Sequence, residues 1–198
     1  MDVVQITRTL DAASVLAAYK AGRFPMGYPG REVITWHHPR RRAILPLGQF
    51  HTSRSLARTL KKAAFEVTYD QAFDDVMRGC ADRDSTWITA AIFRVYRQLH
   101  RLGYAHSVEV WVDRQLAGGV YGVHIGGAFF AESKFHRVTD MSKVALAHLA
   151  ERLRNRGFAL LEVQYRTAHL ARFGVIEISG AEYERRLEEA LRLECVFP

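Results

Sequence analysis

Apolar positions recur at helical spacing in several stretches. Val15, Leu16, Ala18 and Tyr19 lie between Leu10-Asp11 and Gly22, which predicts a short helix with Asp11 as N-cap and Gly22 just past its end. Ser53 heads a helix to Lys62, and Asp70 heads one running to Arg78. Ile88, Ile92, Val95, Tyr96, Leu99 and Leu102 mark a longer helix that Gly103 ends. Phe24 to Gly30 holds Pro25, Gly27, Pro29 and Gly30 and reads as loop. Short strands are expected at Val33–Trp36, Ala43–Leu45 and Phe65–Tyr69. After Gly103 the pattern is that of strands: Ala105–Val112 and Gln115–His124 joined at Asp113-Arg114, then Ala128–Lys134 after Gly126-Gly127. A helix from Asp140 to Arg156, a strand Ala159–Tyr165, a short helix Ala168–Phe173, a strand Val175–Ile178 and a helix from Ala181 complete the order.

Residues 1–80 therefore read as a small mixed α/β N-terminal domain and 81–198 as a second one. The second runs helix, three antiparallel strands, helix, parallel strand, helix. That order is the acetyltransferase-like α+β fold, in which the splay beside the parallel strand makes a ligand cleft. It indicates architecture and not activity.

Two strands of this unit carry polar groups where core is expected. In a strand, residues two apart share a face, so Glu132 pairs with Lys134 and Glu162 with Gln164. The helix between them has the length of a crossover joining parallel strands. Such groups are costly to bury unpaired, so they mark either a site or two salt-bridged edge strands.

Composition narrows the class. The 198 residues have the apolar and charged fractions of an ordinary globular protein, and no apolar run is long enough to span a membrane. The start, Met1 to Gln5, does not read as a signal peptide. Cys80 and Cys195 are isolated, which fits a reducing cytoplasm and no zinc knuckle. The net charge of +7 is concentrated: Arg31 to Lys62 holds eight basic residues and one acid, while the remaining 20 basic and 20 acidic residues cancel. Arg40, Arg41, Arg42, Arg54, Arg58, Lys61 and Lys62 thus form the candidate footprint of a phosphate backbone, the alternative being a solvated charged face.

Other chemistries lack their signatures. Acetyl-CoA would call for a glycine-rich turn opening the long helix, and Phe135 to Ser142 has no glycine and puts Asp140 there. The nine histidines include no i, i+4 helical pair with a third ligand, so no metal is expected. Neither a GxSxG elbow nor a Walker loop occurs. Trp87, just before a helix, is either core or a stacking platform for a base.

The motifs together resemble the leucyl/phenylalanyl-tRNA–protein transferases along nearly the whole chain. The matches include Tyr19-Lys20-Ala21-Gly22-Arg23-Phe24-Pro25-Met26, His51-Thr52-Ser53-Arg54-Ser55-Leu56 and Thr86-Trp87-Ile88-Thr89. They continue through Gly118-Gly119-Val120-Tyr121-Gly122-Val123, Glu132-Ser133-Lys134-Phe135 and Ala168-His169-Leu170-Ala171-Arg172-Phe173-Gly174. The resemblance implies transfer of Leu or Phe from aminoacyl-tRNA to the α-amine of a protein beginning with Arg or Lys, in an N-degron pathway of the cytoplasm. It implies no cofactor, since the ester is already activated, and a monomer that needs no membrane.

By the same resemblance Gln164 orients the amine, Glu162 assists as acceptor or base, and Glu132 orders the site and meets the cationic acceptor residue. Trp87 and Met26 sandwich the terminal adenine, the basic block holds the acceptor stem, and Val120, Lys134 and Phe135 line the amino-acid pocket. Glu162 stands where the family has Asp, and Lys134 where it has Met. An ammonium in an apolar pocket needs a partner, and Glu132, two residues away, is the expected one. Two alternatives remain: a relative that uses another aminoacyl group or amine acceptor, and a non-catalytic tRNA-binding module.

Overall fold

A computed structural model describes residues 2–62 and 64–198; Met1, where the reading of the N-terminus began, lies outside them. Among the described residues ten strands form two sheets, accompanied by seven α-helices. The small sheet has the order β1-β3-β2, from β1 (Val3–Thr7), β2 (Phe24–Gly27) and β3 (Ile34–His37). The large one has the order β10-β4-β9-β8-β7-β6-β5. Its centre is the antiparallel meander β6 (Ala105–Val112), β7 (Gln115–Ile125) and β8 (Ala128–His136), and β8 runs parallel to β9 (Leu160–Glu162). The crossover between β8 and β9 is α5 (Met141–Asn155), as the acetyltransferase-like order requires. Glycines let α5 approach the sheet: a Cβ on Gly118 would lie 2.7 Å from that of Met141.

The large sheet crosses the expected division at residue 80. Strands β4 (Arg41–Ile44) and β5 (Glu66–Tyr69) come from the first 80 residues, yet β4 sits between β9 and β10 (Ile176–Ser179) while β5 edges the meander. One core cluster packs α1 (Ala12–Lys20), α3 (Phe73–Ala81) and α4 (Ala90–Arg101) on one sheet face. The other gathers α5, Leu56 of α2 (Arg54–Lys62) and Phe197 on the opposite face.

Two local expectations are corrected, and one strand is added. Phe24–Gly27 is strand and not loop, because β2 lies at a sheet edge, where Pro25 costs no interior ladder bond. Strand β1, mostly exposed, carries no alternation that would have announced it. Asp70 does not cap α3; with φ of 59° it accepts from the Ser107 N–H at 2.8 Å and meets His106 Nδ1 at 2.7 Å. Asp11 does cap α1, accepting from the Ser14 N–H at 2.8 Å. The chain closes with α6 (Ala168–Ala171) and α7 (Gly180–Leu191).

Candidate active site

A β-bulge organises the site. Gly122 pairs with Ala131 but Tyr121 pairs with Ser133, so Glu132 is the extra residue on β8. The insertion shifts the side-chain alternation by one. Glu132 faces α1 and α4, whereas Lys134 points with its partner Val120 to the α5 face. Period-two spacing predicts Glu132 and Lys134 on one face as an ion pair. The bulge separates them, and among the described residues Lys134 has no carboxylate within salt-bridge distance. Phe135 likewise leaves the pocket expected for it and packs on Gly79, whose added Cβ would lie 2.6 Å from the ring.

Glu132 is 7 % exposed and ringed by donors. The Tyr19 hydroxyl donates to its Oε1 at 2.6 Å, and Gln164 Nε2 and the Tyr96 hydroxyl donate to its Oε2 at 3.1 and 3.4 Å. Burial, assisted by the nearby Glu162 charge and opposed by these donors, pushes the carboxyl up to about 8. The sequence pattern marks Tyr19 and Tyr96 only as apolar helix positions. The signal that could have revealed them is the phenol itself, since a buried tyrosine hydroxyl seeks a partner.

Gln164 follows β9 in a left-handed conformation, φ 63°, which ends the strand at Glu162 and not at Tyr165 as expected. Its N–H donates to Glu162 Oε1 at 2.7 Å. A non-glycine residue holds this conformation only when its surroundings fix it. Glu162 in turn is fully buried against Arg42, whose Nη2 lies 3.0 Å from Oε1. Arg42 also donates to the Gly22 carbonyl and, at 3.1 Å, to the Tyr183 hydroxyl, and its guanidinium lies 4.0 Å from the Tyr183 ring centre. Burial drives the Glu162 carboxyl up against the pull of Arg42. Its Oε2 has no partner among the described residues, nor has the Tyr121 hydroxyl.

Arg42 therefore corrects the reading of the basic block. It lies on the strand between β9 and β10 and is 1 % exposed, so it is spent on Glu162 and unavailable to a phosphate. Arg40, Arg41, Arg54, Arg58, Lys61 and Lys62 are exposed. Met26 and Trp87 are half-buried neighbours: the Gly27 N–H donates to the Trp87 carbonyl at 3.1 Å, which sets β2 beside the start of α4. A cavity of about 80 Å³ adjoins Glu132 on the α5 side, walled by Val120, Ala131, Leu146, Val163, Leu170 and Lys134. Burial and the Arg83 charge push the Lys134 ammonium down. Among the described residues no group of three or more His, Cys, Asp or Glu could hold a metal ion.

A buried carboxyl and an oriented amide beside a small apolar cavity suit acyl transfer to an amine. The family profile described as leucyl/phenylalanyl-tRNA protein transferase matches residues 44–188. The chain belongs to the leucyl/phenylalanyl-tRNA–protein transferase family. Among its relatives, the protein so named from Gloeobacter violaceus is 50 % identical, over 96 % of this chain and 98 % of its own length. That from Cereibacter sphaeroides is 54 % identical, over 92 % of this chain and 86 % of its own. The Herpetosiphon aurantiacus member is 45 % identical, over 97 % of this chain and all of its own. Among solved structures, FemX superposes with a TM-score of 0.53 at 12 % identity, covering 71 % of this chain and 60 % of FemX; that likeness concerns the fold alone. The residues carrying the site, Glu132 and Gln164, fall within the stretch that the family profile spans.

Proposed function

We propose that the chain transfers Leu or Phe from aminoacyl-tRNA to the N-terminal α-amine of proteins that begin with Arg or Lys, marking them for degradation in the cytoplasm. The observation that carries the chemistry is the Gln164–Glu132 contact. Because Gln164 Nε2 donates to Glu132, its amide oxygen faces away from the carboxyl and accepts no hydrogen bond from the described residues. It is free to accept an N–H of the incoming amine and aim the nitrogen lone pair at the ester carbon.

The reaction follows from these groups. The neutral amine attacks the ester carbonyl, the new C–N bond forms, and the C–O bond to the terminal ribose breaks. The amine loses a proton and the ribose oxygen gains one. Glu132, with a carboxyl near 8, is matched to an α-amine of about 7.7–8.0 and moves that proton with little driving force lost. Tyr19 and Tyr96 hold the carboxylate in place, and Glu162 with Arg42 fixes the Gln164 backbone, so Glu162 is a positioning residue. An activated ester needs no further energy source, and the protein's task is orientation and charge stabilisation.

In this reading the apolar 80 Å³ cavity takes the Leu or Phe side chain, with the Lys134 stem forming part of its wall. Trp87 and Met26 hold the adenine, and the exposed arginines and lysines of the basic block hold the stem through phosphates. The test is transfer from a pool of charged tRNAs to Arg-, Lys- and Ala-initiated peptides. Leu and Phe on the first two alone is the expected result; another aminoacyl group, or transfer to Ala, would overturn the assignment.

A further inference from the structure

A second cavity, of about 490 Å³, opens at the start of α5 and shares Lys134 with the small one. Arg83, Lys134, Arg137 and Lys143 line it, with His136 and His169. Two acids, Asp82 and Asp140, also line it; Asp140 pairs with Lys143 at 2.6 Å and accepts from the Thr59 hydroxyl at 3.3 Å, which leaves Arg83, Lys134 and Arg137 against Asp82. Arg83 is held in place by its bonds to the Ser133 hydroxyl and the Lys134 carbonyl, at 3.0 and 2.8 Å. The Lys134 ammonium, unpaired among the described residues, is repelled by Arg83 and Lys143. Fixed cations crowded in one cavity favour an anion of matching shape.

The surroundings say which anion. Thr59 belongs to α2, whose Arg54, Arg58, Lys61 and Lys62 are exposed, so its bond to Asp140 sets that basic helix against the rim of the cavity. At the other end Lys134 opens onto the small cavity beside Glu132. Positive charge thus runs from α2 to the reacting groups. An aminoacyl ester sits on the terminal ribose, and that nucleotide's phosphates lie within a nucleotide or two of it. A carboxylate on the aminoacyl side chain fits less well, since Val120, Ala131, Leu146, Val163 and Leu170 make most of the small cavity's wall and the Glu132 carboxyl also lines it.

We propose that the cavity at the start of α5 binds the phosphodiesters of the single-stranded 3′ end of the tRNA. This rests on the function proposed above and adds a path to it. Lys134 then serves two sides: its methylenes wall the aminoacyl pocket and its ammonium meets the backbone.

The test compares two donors carrying the same Leu: leucyl-adenosine, which has no phosphate, and the leucylated trinucleotide CCA. Arg83→Gln with Arg137→Gln, at two residues that line the larger cavity and not the aminoacyl pocket, should raise KM for the trinucleotide about tenfold, leave kcat within about threefold, and leave leucyl-adenosine unchanged. Equal effects on both donors, or none, would overturn the proposal. Binding of uncharged CCA, followed by fluorescence anisotropy, needs no catalysis and separates the two readings. If neither donor reacts with the parent protein but CCA binding still weakens about tenfold in the double variant, the transferase reading fails and the cavity assignment stands. Inorganic phosphate competing as well as CCA would mean a free phosphate ligand and would sink the proposal.

Discussion

Replacing Arg42 by Ala separates a structural arginine from its exposed neighbours. Arg42 and Glu162 are 1 % and 0 % exposed, so solvent screens neither, and removing the guanidinium leaves a buried carboxylate with one N–H donor and an orphaned Oε2. Breaking such a pair costs about 3–5 kcal/mol, against a total stability of about 5–15 kcal/mol. At about 2–4 °C per kcal/mol for a chain of this size, Tm should fall by about 6–20 °C. The double variant Arg42→Met/Glu162→Met removes both charges and should recover most of that loss while remaining inactive, because nothing then holds the Gln164 N–H. Arg41→Ala, at an exposed side chain, should leave Tm unchanged and instead flatten the salt dependence of tRNA binding. Thermal unfolding by circular dichroism with tRNA binding at several salt concentrations reads all three. If Arg42→Ala keeps Tm within about 2 °C and weakens tRNA binding like Arg41→Ala, Arg42 is a phosphate contact and the buried-pair argument is wrong.

Gln164→Ala should lower kcat at least about 100-fold while tRNA affinity stays within a few-fold; loss of tRNA binding would make Gln164 structural. With its carboxyl raised from 4.5 to about 8, folded Glu132 holds a proton that the unfolded chain releases. Its contribution is therefore complete below pH 4.5 and is lost as pH rises towards 8, an upper bound of about 5 kcal/mol. Glu132→Gln should flatten that part of the stability profile in urea unfolding at stepped pH. The transfer rate of the parent should climb with pH up to about 8 as Glu132 ionises, and a flat profile from pH 6 to 8 would contradict its role as base. Gly79→Ala drives a methyl into the Phe135 ring and should cost about 1–3 kcal/mol in the same unfolding assay, with no change in the pH profile.

The amino-acid sequence determined what depends on neighbours along the chain. Asp11 and Gly22 bound a helix because capping and left-handed turns are local chemistry, and the meander and its crossover were legible from periodicity and turn residues. Glu132, Glu162 and Gln164 stood out because polar groups in core strands demand partners. Tertiary structure decided who those partners are. One inserted residue on β8 turned Lys134 away from Glu132, and a bulge shows only when the facing strand is known. Arg42 reads as one more cation in a basic run, and only its place on a strand between β9 and β10 buries it against Glu162. Pro25 argues against strand until β2 is known to be an edge. Net charge cancels over the residues outside 31–62, yet folding gathers Arg83, Lys134, Arg137 and Lys143 around one cavity. Charge summed along a chain discards distance, and Coulomb interactions depend on distance in space.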